Sequence, residues 1–342
     1  MNPLFIHKII PAKDLFKTYN GKKLYSPVIW DYLGGNANLK KYYNYPPDIN
    51  SFKQAITDKA NSRINREMLV SVLTGQYANI KKPPDNIKKL IHPNTFTVTT
   101  GHQLCLFMGP LYSAYKIISA ITLAAELKRT YSENDFVPVF WMASEDHDIE
   151  EINHLYLFGK KIEWNIQGKG PAGRLNSSSL AGVINALKTG IKNSEIFDSL
   201  VPILENACLK HDNLADATRY LVHELFGKYG LVVIDGDDRQ LKSSFGQIMK
   251  DELEVDSSFP KVESVYKELS LSYKLPVKPR EINLFYMNNT GRNRIVKHVG
   301  TRHASSLHAS YVVLDTPIRF NKTQILEEID NYPERFSPNV VL

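Results

Sequence analysis

Two stretches constrain the fold of this chain more than any others: Thr97–Gly109, T-V-T-T-G-H-Q-L-C-L-F-M-G, and Val137–His154, V-P-V-F-W-M-A-S-E-D-H-D-I-E-E-I-N-H. Each is an apolar, β-prone run that breaks off into polar and ionisable residues. Between them, Leu111–Arg129 places Leu111, Tyr115, Ile118, Ile121 and Leu127 at helical spacing. It closes on Lys128 and Arg129, where the negative end of a helix dipole favours cations. Strand, helix, strand in that order predicts a parallel sheet, because parallel neighbours need a crossover connection. Such sheets build sites at the carboxyl ends of their strands, beside helix starts with unpaired N–H groups. The two polar tips are therefore expected to meet around one reactant pocket, which argues for an enzyme.

Composition sets the limits of that reading. At 342 residues the chain can bury a sizeable core, and its 43% apolar and 23% charged fractions are ordinary for a globular protein. No run approaches the length of a membrane helix, and Met1–Asp14 lacks the pattern of a secretory signal. The two cysteines, Cys105 and Cys208, lie in unrelated contexts and fit a reducing, cytoplasmic setting without a disulfide framework. The net charge of +6 suits anionic small molecules. Lys81, Lys82, Lys88 and Lys89 form a local basic stretch around a Pro-Pro turn, but no zinc-finger spacing or RNA-binding motif supports nucleic acid recognition.

Along the chain, residues 1–94 read as an arm with a helical segment over Asp48–Leu73, packed on a core. Residues 95–167 read as the first part of that core, with a strand over Phe136–Met142 and short strands at Leu155–Phe158 and Lys161–Ile166. Residues 168–229 read as a mostly helical insertion, with helices over Leu180–Lys210 and Asn213–Lys228. Residues 230–342 hold a later core strand, Gly230–Ile234, then a helix from Gln240 to Leu253 and mixed short β-runs at Ile282–Tyr286, Arg294–Val299 and Tyr311–Leu314. The final stretch, Arg335–Leu342, reads as a turn feeding a strand.

The strand tips carry the candidate chemistry. Gly101 permits close backbone approach; His102 can move a proton or donate to an anion; Gln103 offers both donor and acceptor. This is neither a Walker loop nor a Gly-x-Gly-x-x-Gly fingerprint. Lys116 sits about two turns into the following helix, where it could meet a phosphate or carboxylate. Glu145, Asp146, His147 and Asp148 form the strongest cluster, since four adjacent ionisable groups at the end of a buried strand need partners. Helix capping could account for Asp146 or Asp148 but not for His147, a candidate proton acceptor. His147 with Glu151, and Glu150 with His154, could each share a helix face as metal ligands, although the spacing is not that of a zinc site. Asp235, Asp237 and Asp238 follow the later strand. Arg292 and Arg294, with Arg302 and His303, are candidate anion ligands.

At these motifs the chain resembles the bacillithiol biosynthesis cysteine-adding enzyme family, the cysteine ligases. The resemblance rests on Thr100-Gly101-His102-Gln103, Leu106–Lys116, Pro138–Asp148, Glu151-Ile152-Asn153-His154, Gly230–Lys242 and Arg335–Leu342. It spans most of the chain, which corresponds to about the first two thirds of a typical member. It implies an α/β fold: a Rossmann-like parallel sheet, similar to the class I aminoacyl-tRNA synthetase core, with connecting insertions. Full-length members are expected to form homodimers through a C-terminal coiled coil.

The implied reaction joins cysteine to glucosaminyl malate by an amide bond, with ATP as co-substrate and Mg2+ entering with its phosphates. Glu145, Asp146, His147 and Asp148 would be catalytic. Gly101, His102, Gln103, Gly109, Lys116, Asn153, His154 and Asp235 would bind substrate or nucleotide, with no dedicated metal site. Many members carry Gln where His102 stands, so the role implied for His102 is hydrogen bonding to phosphate or carboxylate. Competing readings are a nucleotidyl-transferring or aminoacyl-activating enzyme for other substrates, and a non-catalytic partner-binding fragment.

Overall fold

A computed structural model of the chain describes residues 26–166, 170–191, 195–288, 291–298 and 310–342. Arg302 and His303, two of the candidate anion ligands, lie outside the described residues. The chain divides into two compact units, residues 1–58 with 260–279, and residues 59–259 with 280–342. In the smaller unit, Pro27–Leu33 forms a short helix with proline in its first turn, where the missing N–H breaks no bond. Tyr273 donates its hydroxyl to Asp31 at 2.6 Å, and Lys41 pairs with Glu268.

The larger unit contains a parallel sheet of β1 (Thr95–His102), β2 (Asp135–Met142) and β5 (Val232–Asp235), with β2 in the middle. Thr, Val and Phe dominate β1 and β2, as the pleated, half-buried surface of a sheet favours. Pro138 falls one residue ahead of the first β2–β5 pair, Val139↔Val232, so its missing N–H breaks no ladder bond on that side. Between β1 and β2 runs helix α2 (Leu111–Thr130), preceded in the chain by α1 (Arg66–Gln76). The buried face of α2 is Ser113, Ile117, Ala120, Ala124 and Leu127, the alternating four-three spacing that lays one stripe on a sheet. Pro110 occupies the N-cap of this helix.

After β2 come a single helical turn, α3 (Ile149–Ile152), and a hairpin of β3 (His154–Leu157) and β4 (Lys160–Glu163). Helices α4 (Ala181–Gly190), α5 (Glu195–Leu209) and α6 (Leu214–Phe226) then lead into β5. Leu180–Lys210 is thus two helices rather than the one expected, with Gly190 ending the first. The segment over Asp48–Leu73 is likewise broken. One helix stops at Ala60 and α1 restarts where the Asn65 side chain accepts from the Met68 amide at 3.0 Å, because a local cap competes with helix continuation. Beyond β5, α7 (Arg239–Ser244) and α8 (Gly246–Val255) replace the single helix expected over Gln240–Leu253.

The last part of the unit is a five-stranded antiparallel sheet. It comprises β6 (Leu284–Asn288), β7 (Gly291–His298), β8 (Ser310–Val313), β9 (Arg319–Asn321) and β10 (Phe336–Pro338), with α9 (Lys322–Asn331) between the last two. The C-terminal reading is inverted here: the strand is Phe336–Pro338, and the turn follows it. Two hydrophobic cores result. One runs from Leu73 to Ile234 around the parallel sheet; the other gathers Met249, Leu284, Tyr311, Ile325 and Phe336 beneath the antiparallel one.

Candidate functional site

Register sets the site. His102 pairs with Met142, and Met142 with Asp235, so all three parallel strands end in one row. Each then releases its chain into a polar segment: Gln103, Ala143–Asp148 and Gly236–Asp238. Gly101 allows the strands to approach closely, since a Cβ there would sit 3.0 Å from the Trp141 carbonyl oxygen. The Lys116 ammonium donates to the Gly101 carbonyl, so Lys116 ties the end of β1 to α2.

The first and second tips join through Gln103. Its amide nitrogen donates to Asp146 Oδ2 at 2.9 Å and to Glu151 Oε2 at 2.8 Å. Asp146 Oδ1 accepts from the His147 amide at 2.8 Å. The His147 imidazole, partly exposed, stands 3.9 Å from Asp146 and 4.0 Å from Asp148. One ligand atom from each of Asp146, His147 and Asp148 falls within 4.8 Å of the others, so the trio could hold a divalent ion. The two helix-face metal pairs do not form: α3 spans only Ile149–Ile152, so His147 lies before it and His154 beyond it. Asp148 is the N-cap residue of that turn, yet its side chain caps nothing.

The second and third tips join through buried charge. Glu145 Oε1 lies 2.6 Å from Lys242 Nζ, and Glu145 Oε2 accepts from Ser337 Oγ at 3.0 Å. The same Lys242 ammonium reaches Asp237 at 2.6 Å, with both side chains about 5% exposed or less. Arg174 grips Asp237 with two parallel bonds of 2.7 and 2.9 Å. Burial pushes the Glu145 carboxyl above its ordinary range, with Lys242 pulling the other way. Burial likewise raises Asp235, whose carboxylate accepts from Ser144 Oγ and, at 2.9 Å, from the Asp237 amide. Asp238 caps α7 by accepting from Gln240 and Leu241.

A cavity of about 490 Å³ opens on this network. Its polar wall includes Glu145, Asp146, Lys242, Arg292 and Asn339, and its apolar wall includes Trp141, Leu241 and Phe245. Gly236 also lines it and cannot carry a side chain without moving the indole, because a Cβ there would lie 2.2 Å from Trp141 Cζ2.

Several expected residues stand elsewhere. Gly101, His102, Gln103, His147 and Asp148 are not among the residues lining the cavity, so of the four expected catalytic residues Glu145 and Asp146 reach it. His102 turns its Nδ1 to the Gln103 carbonyl at 3.2 Å and packs edge-on to Tyr112. Gly109 lies in the turn before α2, donating to Leu106. Asn153 and His154 hold the base of the β3–β4 hairpin, where Asn153 accepts from the Trp164 amide at 2.7 Å. Arg294 is exposed on β7. Burial raises the Cys105 thiol, which does not suit a nucleophile.

Lys242, Arg174 and Ser337 were not singled out by sequence reasoning. A signal for Lys242 existed: a lysine one turn into a helix that starts straight after an acidic strand end. Arg174 sits in a Gly/Ser-rich stretch with nothing to mark it.

A parallel sheet whose strand ends release a row of acids, interrupted by a helical insertion, defines a Rossmann-like α/β domain. Comparison with known proteins agrees. The model of the family described as Bacillithiol biosynthesis BshC, N-terminal Rossmann-like domain, matches residues 15–342, and the chain belongs to that family. It is 44% identical over 330 residues to a Flavobacterium johnsoniae protein named "Putative cysteine ligase BshC", covering 95% of this chain and 60% of the relative. A Flavobacterium psychrophilum protein of the same name is 44% identical over 331 residues, with the same coverage. A Bacillus thuringiensis one is 26% identical over 329 residues, covering 92% of this chain and 59% of the relative. The chain thus spans about 60% of the length of these relatives. Among the described residues, no helix is long and apolar enough to cross a membrane.

Proposed function

We propose that this domain carries the reaction centre of a ligase that joins the carboxylate of cysteine to the amine of glucosaminyl malate, giving bacillithiol, with ATP as co-substrate. The observation that carries the reading is the alignment of three strand ends in one row, with Gln103 bridging the first tip to the second. Membership of the family supplies the reaction class.

A carboxylate and an amine do not condense at useful rates, so the cysteine carboxylate must first be activated. Its oxygen attacks a phosphorus of ATP, displacing either diphosphate or ADP. The sugar amine then attacks the activated carbon, the C–N bond forms, and AMP or phosphate leaves. The amine must lose a proton as it bonds, and His147 is the acceptor within reach of the Asp146 tip. Gln103 and the strand-end backbone orient the activated group, and Asp146 and Asp148 hold the incoming cationic partner. A divalent ion arriving with the nucleotide would be held by Asp146 and Asp148 and would supply charge neutralisation there, leaving His147 free to take the proton. Positioning and fixed charge, rather than covalent chemistry by the protein, do most of the work.

The test is a mass-spectrometric assay with cysteine, glucosaminyl malate and ATP, run on this chain and on a full-length relative in parallel. The expected products are bacillithiol with AMP and diphosphate, or with ADP and phosphate. A full-length relative that makes no bacillithiol under these conditions would sink the reading. His147→Ala is expected to lower turnover more than substrate affinity; the reverse pattern removes His147 as proton acceptor.

A further inference from the structure

The cations around the strand ends are not alike. Lys242 pairs with Glu145 and Asp237, Arg174 with Asp237, and Arg219 with Asp216 and, at 3.9 Å, Asp235. Arg292, on β7, has no carboxylate within ion-pair distance among the described residues. Its guanidinium stacks 3.9 Å from the centre of the Phe285 ring. Its Nε donates to Ser337 Oγ at 2.8 Å, and Nη2 donates to the Pro338 carbonyl at 3.2 Å. Both partners are neutral oxygens. Glu145, Asp146 and Asp148 act on the guanidinium only from beyond ion-pair distance, so this partly buried cation has no direct anionic partner and gains from a negative group that reaches it.

Of the five N–H donors of a guanidinium, two are thus engaged, and the terminal pair on Nη1 and Nη2 stays available in the fork that matches a carboxylate. Arg292 lines the 490 Å³ cavity with Trp141, Leu241 and Phe245. We infer that Arg292 is the anchor for a carboxylate of a small organic acid bound in this cavity, with the carbon skeleton of the acid lying on the indole and phenyl wall.

Carboxylate is favoured over phosphate by the other wall. Glu145 and Asp146 line the same cavity, and a phosphate brings about two charges to the one centre that Arg292 would hold, where a dicarboxylic acid brings one there and carries its second charge on a separate carbon. Resting on the ligase reading, the ligand can be named more closely. The cysteine carboxylate is consumed in the reaction, so a permanent anchor must hold one that is not. The malyl group of the amine-bearing substrate carries two such carboxylates, and the inference assigns Arg292 to one of them.

The test is titration of L-malate into this chain, followed by calorimetry and by tryptophan fluorescence, to which Trp141 contributes with Trp30 and Trp164. Saturable binding is expected, weakened about tenfold or more by Arg292→Lys, which keeps the charge but loses the fork. Because a variant at a half-buried site can misfold, the wild-type chain is also titrated with dimethyl malate and with inorganic phosphate, neither of which should bind. Equal affinity of wild type and Arg292→Lys for malate, or binding of phosphate in place of malate, overturns the assignment. Malate binding that depends on Arg292 in a protein without ligase activity keeps the carboxylate site and removes the ligase reading. Ligase activity whose affinity for glucosaminyl malate ignores Arg292 does the reverse.

Discussion

The two ends of the parallel sheet differ in a way that cavity size alone would misjudge. At the amino end, a cleft of about 910 Å³ is lined by residues of the segments that precede β1 and β5, with Lys81, Lys82, Lys210 and Lys228 around it. At the carboxyl end the cavity is about half that volume, 490 Å³. Yet the lysines of the larger cleft are exposed, and none has a carboxylate partner among the described residues. At the smaller cavity, a lysine only 4% exposed is held between two acids. Burying charge is unfavourable and persists only where the surroundings compensate it. Organised buried charge, not open volume, is therefore the ground for placing the proposed site at the carboxyl end.

That comparison is most directly broken at Lys242. Lys242→Met should leave Glu145 and Asp237 buried without their shared cation, destabilising the protein by about 3–5 kcal/mol in urea denaturation. A loss of less than about 1 kcal/mol would mean the network is wet and ordinary. Gly236→Ala comes next. Its Cβ would force the Trp141 indole aside, and because that ring is 43% exposed it can swing. We expect a stability loss of about 1 kcal/mol but abolished malate binding. Retained affinity would show that Trp141 does not shape the cavity.

Gln103→Ala probes the link between the first two tips. Two hydrogen bonds to carboxylates are lost at a partly exposed position, which should lower stability by about 1 kcal/mol. Turnover of the full-length enzyme should fall further than that, since Asp146 loses its orientation. Turnover equal to wild type would reduce Gln103 to a structural bridge.

What the sequence made legible follows from range. The parallel sheet, α2 and the acidic tip were readable because periodicity and strand ends are local signals, and Asp235 was readable as a strand end for the same reason. The partners were not. Lys242 sits 97 residues from Glu145, and Ser337 reaches Glu145 across 192 residues. Only the folded register of β10 against β6 brings Ser337 there. The acidic cluster was readable from its own residues, but that Gln103 joins it to the first tip through Asp146 and Glu151 was not. Helix breaks at Asn65, Gly190 and Gly246 were missed because apolar spacing continues across them, while caps and glycines decide where the backbone stops.

The weakest effects belong to the amino end and test the other half of the comparison. Lys81→Ala and Lys82→Ala should each change stability by no more than about 0.5 kcal/mol and leave malate affinity unchanged. His223, beside those lysines, gives a subtler signal. Burial lowers its pKa from the usual 6.5, so below that pH the unfolded chain takes up a proton that the folded chain resists. Stability from this group is therefore present above about pH 6.5 and lost as pH falls. Replacing it by a residue that does not titrate, His223→Gln, should flatten the slope of stability against pH just below 6.5 while leaving the Arg292 cavity untouched. An unchanged slope would mean that water reaches the ring, making this cleft solvent-filled surface. A variant that also weakened malate binding would couple the two ends and overturn the division drawn between them.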